Sequence, residues 1–229
     1  CIVASLVLVI IATEARGQSA KSVDPTKLAD LHGGLVVQLG GTDTEVAAKL
    51  SLTGRYLIHV LDRDSATVLA AQNRLRKNGH YGLVWAERSV EQDRLPYAEN
   101  VVNLVSIRDH AIPAGELMRV VTPGGSVVVH DQALMSKSSL SAAGFDFIRE
   151  QDGCLIAGKP WPDEMDVWSH PRHAADGNAV SLDTMVGPPA RVRWVAAATS
   201  EVEGMVSAGG RNFYGGILAR DSFNGLRLW

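Results

Sequence analysis

The chain has 229 residues, of which 46% are hydrophobic and 21% are charged, so it is long enough for one full domain and part of a second. Its 22 Lys and Arg residues against 25 Asp and Glu give a net charge of -3, which leaves no basic surface for DNA, RNA or an anionic membrane. The two cysteines, Cys1 and Cys154, stand in no C-x-x-C spacing. The sequence therefore predicts neither a disulfide framework nor a thiol-ligated zinc site.

The N-terminal residues form an uncharged apolar run from Cys1 to Ala12, followed by small and polar residues. A helix of this length, at about 1.5 Å per residue, is too short to cross a hydrocarbon core of about 30 Å, so we predict no stable transmembrane span. The run resembles the apolar part of a secretory signal, with a cleavage site at Ala15-Arg16-Gly17, and we predict that residues 1–20 are a signal peptide remnant. The location is then exported or periplasmic, and otherwise cytoplasmic. A buried N-terminal strand or helix is the alternative.

From residue 34 onward, short apolar runs alternate with amphipathic stretches. The predicted strands are 34–39, 56–61, 83–86, 101–107 and 126–130, and the predicted helices are 44–52, 65–78 and 115–121. The residues Thr122-Pro123-Gly124-Gly125 predict a turn before the fifth strand. This alternation indicates an α/β fold with a mostly parallel, doubly wound sheet. Two further apolar runs flank Asp152-Gly153, a strong hairpin signal, so the sheet is predicted to end in an antiparallel pair.

Polar and small residues follow each predicted strand, at the edge of the sheet where α/β proteins bind ligands. Gly40 and Gly41 follow the first strand, where small residues allow a ligand to approach the backbone. Asp62 follows the second strand and is placed to accept hydrogen bonds from a ribose diol. The third strand is followed by Glu91, and the fourth by Asp109 and His110. We therefore expect a small-molecule site at this edge.

Four segments together resemble a class I S-adenosylmethionine-dependent methyltransferase over about residues 30 to 160. They are LVVQLGGTDTEVAAKL, YLIHVLDRD, ERSVEQDRLPYAENVVNLVS and ELMRVVTPGGSVVV. The most specific matches are an "LP-aromatic" stretch at Leu95-Pro96-Tyr97 and an "R-V-L-x-P-G-G" turn at residues 119–125.

The resemblance implies S-adenosylmethionine as cofactor, with its methionine part over Gly40 and Gly41, its ribose on Asp62 and its adenine amino group near Glu91. It names no fixed base, because this fold acts mostly by positioning the methyl donor. Asp109 and His110 are the candidate catalytic residues. The resemblance further implies methyl transfer to a small-molecule acceptor.

The glycine motif departs from the family pattern, in which an acidic residue is followed by three alternating glycines. This chain has Gln38, Gly40, Thr42 and Thr44 in those places. The alternative function is therefore a non-catalytic, exported methyltransferase-like module that supports a β-propeller. A Rossmann dehydrogenase is less favoured, because the loop cannot be written as G-x-G-x-x-G.

The C-terminal region changes in character after Lys159. A loop-rich stretch is followed by predicted short strands at 192–196, 205–210 and 211–216, which indicates an all-β unit. Residues 218–229 resemble the repeat of pyrroloquinoline-quinone-type β-propellers, in which the terminal Trp docks on a neighbouring blade. His170 and His173 are interpreted as loop residues beside Trp168 rather than as metal ligands.

The predicted domains are thus the signal remnant 1–20, a methyltransferase-like domain 21–160, and a linker with a first propeller blade 161–229. One blade cannot close a propeller, which needs about 4 to 8, so the remaining blades are the predicted partner of the third region. The arrangement is similar to large exported propeller proteins of planctomycete type.

Overall fold

The computed structural model describes residues 23–41, 44–185, 187, 192–196, 204–215 and 217–229. The predicted signal remnant therefore lies outside the described residues, as do Thr42 and Asp43 of the first loop. Among the helices that the structure describes, none is long and apolar enough to cross a membrane.

The described chain contains helices and strands in alternation, followed by strands alone. The helices are α1 (Pro25–Leu28), α2 (Thr44–Ser51), α3 (Ser65–Lys77), α4 (Ala114–Val120) and α5 (Lys137–Ala142). The strands of the first unit are β1 (Gly34–Leu39), β2 (Tyr56–Asp62), β3 (Val84–Arg88), β4 (Val102–Ile107), β5 (Val121–Val129), β6 (Asp146–Gln151) and β7 (Cys154–Gly158). The strands of the second unit are β8 (Met205–Ala208), β9 (Arg211–Tyr214) and β10 (Leu218–Asp221).

The first seven strands form one sheet in the order β3-β2-β1-β4-β5-β7-β6. The five strands from β3 to β5 are parallel, while β7 pairs antiparallel with both β5 and β6. Asp152 and Gly153 join the terminal pair with φ values of 51° and 78°, as a two-residue hairpin turn requires. The predicted fold class, a Rossmann-like sheet closed by an antiparallel hairpin, is confirmed.

Helices cover both faces of this sheet because side chains of a strand alternate between the faces. One face packs under α4 and α5, with Ile107, Leu117 and Leu140 fully buried. The other packs under α2 and α3, where Ile58 and Leu75 are buried. The strand ends and their loops are therefore the parts of the sheet that remain open to ligands.

The predicted turn at Thr122-Pro123-Gly124-Gly125 is wrong, because these residues belong to the long strand β5. Gly124 adopts a φ of 72°, and the pairing with β4 shifts register between Val102 and Leu104. Gly124 N also donates to Lys159 O at 3.0 Å, while Lys159 N donates to Gly125 O at 2.8 Å. The chain thus passes the glycines as an irregularity within the sheet, held by the segment that follows β7.

The last three strands form a separate antiparallel sheet in the order β10-β9-β8. Residues 192–196 do not form the predicted strand: Val192 and Val195 are 75% and 85% exposed. Trp229 lies against Phe213 of β9, with ring centroids 5.7 Å apart, so one face of its ring packs on the C-terminal sheet.

The two sheets meet at a buried asparagine near the beginning of β4. Asn103 Nδ2 donates to Asp221 Oδ2 at 2.7 Å, and Asn103 Oδ1 accepts from Leu35 N at 2.8 Å. Asn224 Nδ2 donates to the same Oδ1 and to Val101 O, at 2.8 and 2.9 Å. Asn103 and Asp221 are only 8% and 5% exposed. The contact therefore fastens the C-terminal sheet to the amino edge of the large sheet.

Candidate functional site

The first loop at the carboxyl edge is held by the side chain of Gln38. Gly40 and Gly41 follow β1 with φ values of 73° and 81°, which glycine adopts without strain. The Gln38 amide nitrogen donates to Gly40 O at 3.0 Å and to Gly41 O at 3.1 Å. Gln38 thus occupies the place of the family's acidic residue but bonds the loop itself.

Asp62 ends β2 beside this loop and is 5% exposed. Its Oδ1 accepts a hydrogen bond from Asp64 N at 2.8 Å and lies 3.5 Å from His110 Nε2. Asp64 in turn caps α3, since its Oδ2 accepts from Thr67 N at 2.9 Å. These bonds hold the Asp62 carboxylate at the carboxyl edge.

Asp109 and His110 connect the first loop with Asp62. Asp109 Oδ2 accepts from Gly41 N at 2.9 Å, and Asp109 Oδ1 lies 2.9 Å from His110 Nδ1. Arg63 N donates to His110 Nε2 at 3.3 Å, which assigns the imidazole proton to Nδ1 and makes it the donor to Asp109. The structure thus brings together five of the six predicted site residues.

Glu91 is the sixth predicted site residue and lies apart from the other five. It is exposed in the loop after β3, where its backbone oxygen accepts a hydrogen bond from Ser89 Oγ at 3.1 Å. It lines a groove of about 410 Å³ together with Glu87 and Tyr97. The structure therefore does not place its carboxylate in the group formed by Asp62, Asp109 and His110.

Arg63 is a residue of the site that the sequence does not predict, because its hydrogen-bond partners lie in other loops. Its Nη2 donates to Gln92 O at 3.0 Å and to Ala111 O at 3.1 Å, and so ties the loops after β3 and β4 together. We call these two bonds the Arg63 clasp. A cavity beneath it, lined by Arg63, Leu61 and His110 among others, has a volume of about 10 Å³. That space holds about one water molecule.

A second set of polar groups that was not predicted lies between β4, β5 and β7. His130 Nε2 lies 2.9 Å from Ser106 Oγ, and His130 Nδ1 lies 3.5 Å from the thiol of Cys154. Burial, and then the charge of Arg108, lowers the pKa of His130 to about 4, while burial raises the pKa of Cys154. Arg108 Nε and Nη2 are buried without a hydrogen-bond partner among the described residues.

The two most specific sequence matches contact each other. Arg119 Nη1 donates to Tyr97 O at 2.8 Å and Arg119 Nη2 to Leu95 O at 3.3 Å, while Leu95 N donates to Glu116 Oε1 at 2.7 Å. Glu116 and Arg119 also form an ion pair at 2.6 Å. Arginine at this place therefore shapes the loop that contains the "LP-aromatic" stretch.

Tyr97 is also bound from the opposite side, by a histidine of β2. Its hydroxyl lies 2.5 Å from His59 Nδ1, and His59 Nε2 lies 3.4 Å from Glu87 Oε2. Burial raises the pKa of Tyr97 and lowers that of His59. Both contacts keep the loop close to the sheet.

Two clusters in the structure contain residue types that ligate metals. One ligand atom from each of Asp62, Asp109 and His110 lies within 4.8 Å of the others. Asp109 and His110 are joined by a hydrogen bond, and Asp62 is held beside them by its hydrogen bond from Asp64 N. In the C-terminal loop, His173 Nε2 lies 2.7 Å from Asp166 Oδ2, and its ring lies 5.2 Å from that of Trp168. His173 thus packs beside Trp168, as predicted.

The chain matches no protein-family model and no curated protein sequence. It is similar in structure to the [4+2]-cyclase SpnF, with 18% identity over 59% of this chain and 81% of that one, at a TM-score of 0.46. It is also similar to a SAM-dependent methyltransferase from Aquifex aeolicus, with 18% identity over 59% of this chain and 88% of that one, at a TM-score of 0.46. The fold assignment rests on the strand order described above.

Proposed function

We propose that the α/β unit binds S-adenosylmethionine at the carboxyl edge of its sheet and transfers the methyl group to a small-molecule acceptor. The observation that carries this proposal is the position of Asp62. This nearly buried carboxylate ends β2 directly beside the Gly40-Gly41 loop, in a sheet with a terminal antiparallel hairpin. A carboxylate at this place accepts hydrogen bonds from the hydroxyls of a ribose.

The residues at this edge fit the cofactor in part. The Asp62 carboxylate would hold the ribose, and the Gly40-Gly41 backbone allows close approach of the methionine part. Gln38 supplies no negative charge for the cofactor's ammonium group. When bound, the cofactor supplies an electrophilic methyl group. The Asp109–His110 pair would accept the proton that the acceptor loses once the 3.3 Å hydrogen bond from Arg63 N to His110 Nε2 is broken, since Nδ1 lies 2.9 Å from a carboxylate oxygen.

We expect a ligand that enters beneath the Arg63 clasp to open it, because the cavity there, lined by Leu61 and His110 among others, has a volume of about 10 Å³. Opening breaks the two hydrogen bonds from Arg63 Nη2, which together contribute about 1 kcal/mol because both lie at the surface. This cost lowers the affinity for any ligand that enters there.

The second candidate function is a non-catalytic module that supports a β-propeller. The Arg63 clasp favours it, as does the buried contact between Asn103 and Asp221, which joins the α/β unit to the C-terminal sheet. Export through the predicted N-terminal signal would favour it further, because S-adenosylmethionine is not expected outside the cytoplasm. This second proposal includes the export of the chain and the presence of further propeller blades with their own ligand.

Isothermal titration of the full chain with S-adenosylhomocysteine separates the two functions. Methyl transfer predicts saturable heat at millimolar ligand or below, which is lost in Asp62→Asn. Asp30→Asn is the matched control, because Asp30 is exposed with a φ of 51°, which asparagine tolerates, and it should bind as the wild type does. Absence of heat at millimolar ligand would overturn the enzymatic proposal in favour of the supporting module.

A further inference from the structure

A cavity of about 770 Å³ lies at the amino edge of the large sheet, against the C-terminal sheet. Gly33 before β1, Gly125 within β5, and Gly210 between β8 and β9 contribute to its lining. The Gly40 loop and Asp62 lie at the opposite ends of the same strands. The cavity is therefore separate from the proposed methyl-transfer site, and its size is typical of small-molecule sites.

Aromatic rings form part of the cavity wall. Trp161 and Phe223 meet edge to face with ring centroids 5.9 Å apart, and Trp229 also contributes to the lining. The indole nitrogen of Trp161 donates to Met165 O at 3.4 Å, so its hydrogen-bonding group already has a partner. What the wall offers a ligand is chiefly ring surface, which favours a flat aromatic molecule.

Two arginines, Arg55 and Arg211, stand at the rim and are exposed. Among the described residues, no carboxylate oxygen lies within 4.0 Å of either guanidinium. The lining also contains one carboxylate, that of Asp221. Its oxygens already accept from Asn103 Nδ2 at 2.7 Å and from Phe223 N and Asn224 N at 2.8 and 3.0 Å. Arg211 also interacts through space with the Asp221 carboxylate, so the rim has two guanidinium groups without a direct ion-pair contact, of which Arg55 is the less compensated.

The floor of the cavity is held by bonds that exist without a ligand. Asn103 joins β4 to Asp221, and Asp221 orders the turn that contains Phe223. A site whose walls are fixed in advance loses little entropy on binding. The cavity is thus preorganised by the same contact that joins the two sheets.

We propose that this cavity binds a small aromatic carboxylate, with its ring against Trp161 and Phe223 and its carboxylate on Arg55 and Arg211. Guanidinium groups bind carboxylates by two parallel hydrogen bonds, which sets the orientation of the ligand. A ligand with only a ring would not contact the arginines, and a ligand with only a carboxylate would not contact the aromatic wall.

Isothermal titration of the full chain with 1-naphthoate tests this proposal, and 1-naphthalenemethanol is the probe that lacks only the carboxylate. We expect 1-naphthoate to bind with one site per chain and the alcohol to bind at least about tenfold more weakly. Arg55→Gln and Arg211→Gln should each raise the dissociation constant for 1-naphthoate about tenfold without changing that of the alcohol. Phe223→Leu should weaken both probes.

The control variant is Arg76→Gln, which removes the same charge from α3, where Arg76 lies over the Tyr81 ring outside the cavity. It should bind 1-naphthoate as the wild type does. Three results would each overturn the proposal: no binding of 1-naphthoate, equal affinity for the two probes, or an equal loss in Arg76→Gln and Arg55→Gln. Thermal unfolding of each variant verifies that the fold is kept.

Discussion

The two edges of the large sheet differ in what their polar groups do. At the carboxyl edge, Gln38, Asp109 and His110 bond to the loops and to each other, and the Arg63 clasp lies over the space between them. At the amino edge, Arg55 and Arg211 face a cavity of about 770 Å³. The predicted site residues lie at the first of these edges, whereas the cavity at the second is lined in part by residues 122–125 and by Asp221, Phe223 and Trp229 of the C-terminal segment.

This difference shows that a sequence motif identifies the position of a site but not whether a ligand can enter it. Asp62 ends β2 as the sequence predicts, and Arg63 beside it in the same YLIHVLDRD segment bonds the loops after β3 and β4, a contact that no motif indicates. The amino-edge cavity, by contrast, is formed by segments more than 100 residues apart in sequence, such as Asn103 and Asp221. The following four variants test the contrast between the edges, in order of decreasing effect.

Asn103→Leu should destabilise the amino edge most strongly. It leaves Leu35 N and one oxygen of the buried Asp221 without their partner and removes one of the two acceptors of the Asn224 amide, which costs about 3 to 5 kcal/mol of unfolding free energy. Urea denaturation measures the loss. Asn178→Leu, at an exposed loop position, should change stability by less than about 0.5 kcal/mol. Similar losses in the two variants would show that the Asn103 contact does not hold the sheets together.

Gly40→Ala tests how tightly the carboxyl edge is packed. An added Cβ would lie 1.4 Å from Asp109 Oδ1, in addition to the strain of a φ of 73°. We expect Gly40→Ala to lower the unfolding free energy by about 3 kcal/mol. Gly79→Ala is the matched control, because Gly79 has the same φ of 73° and no atom within 4 Å of the added carbon. It should cost about 1 kcal/mol. Equal losses would mean that Asp109 moves freely away from the loop.

His130 should make stability depend on pH. Burial, and then Arg108, lowers its pKa from 6.5 to about 4 in the folded chain. Between these values the unfolded chain binds a proton that the folded chain does not, so the free energy of unfolding decreases as the pH falls through this window. The unfolding free energy should decrease by about 2 kcal/mol, a value reduced from the full pKa difference because His130 is partly exposed to solvent.

Denaturation at pH 4 and at pH 6.5 measures the unfolding free energy of His130→Asn. We expect this variant to lack the decrease of about 2 kcal/mol that the wild type shows between the two pH values. His32→Asn, which removes an exposed imidazole, should keep the pH dependence of the wild type. If His130→Asn kept it as well, another group would be responsible.

Arg63→Ala should have the smallest effect on stability, about 1 kcal/mol, because its two hydrogen bonds lie at the surface. Its informative effect is on binding: the dissociation constant for S-adenosylhomocysteine should fall about threefold to tenfold, since the Arg63 clasp no longer has to open. Arg76→Ala should leave that constant unchanged. Unchanged or weaker binding in Arg63→Ala would mean that the clasp does not limit access to Asp62.

Much of the α/β unit was predictable from sequence because its strands are continuous apolar runs. The hairpin at Asp152-Gly153 was predictable because its two residues tolerate a positive φ. The turn at residues 122–125 was wrongly predicted, since Pro and Gly are also compatible with an irregular strand when a segment distant in sequence, here Lys159, supplies the hydrogen bonds. The strand predicted at 192–196 is absent because apolar side chains alone do not supply a pairing partner.

The site was predictable only as far as strand ends determine it. Gly40, Gly41, Asp62, Asp109 and His110 follow strands directly, so the parallel sheet brings them together. Glu91 lies farther along its loop, and the course of that loop depends on tertiary contacts. The contacts of Arg63 and Asn103 could not be predicted, because their partners are backbone oxygens or side chains far away in the sequence.

The contact between Asn103 and Asp221 also bears on the order in which the protein is made. Asn103 is synthesised 118 residues before Asp221. Until Asp221 has been synthesised, the Asn103 side-chain amide can form hydrogen bonds only with nearby groups of the α/β unit and with water. The α/β unit therefore completes its amino edge only after the segment around Asp221 has been synthesised. An isolated fragment that ends before β8 would expose that edge, and a nascent chain would pass through the same state during translation.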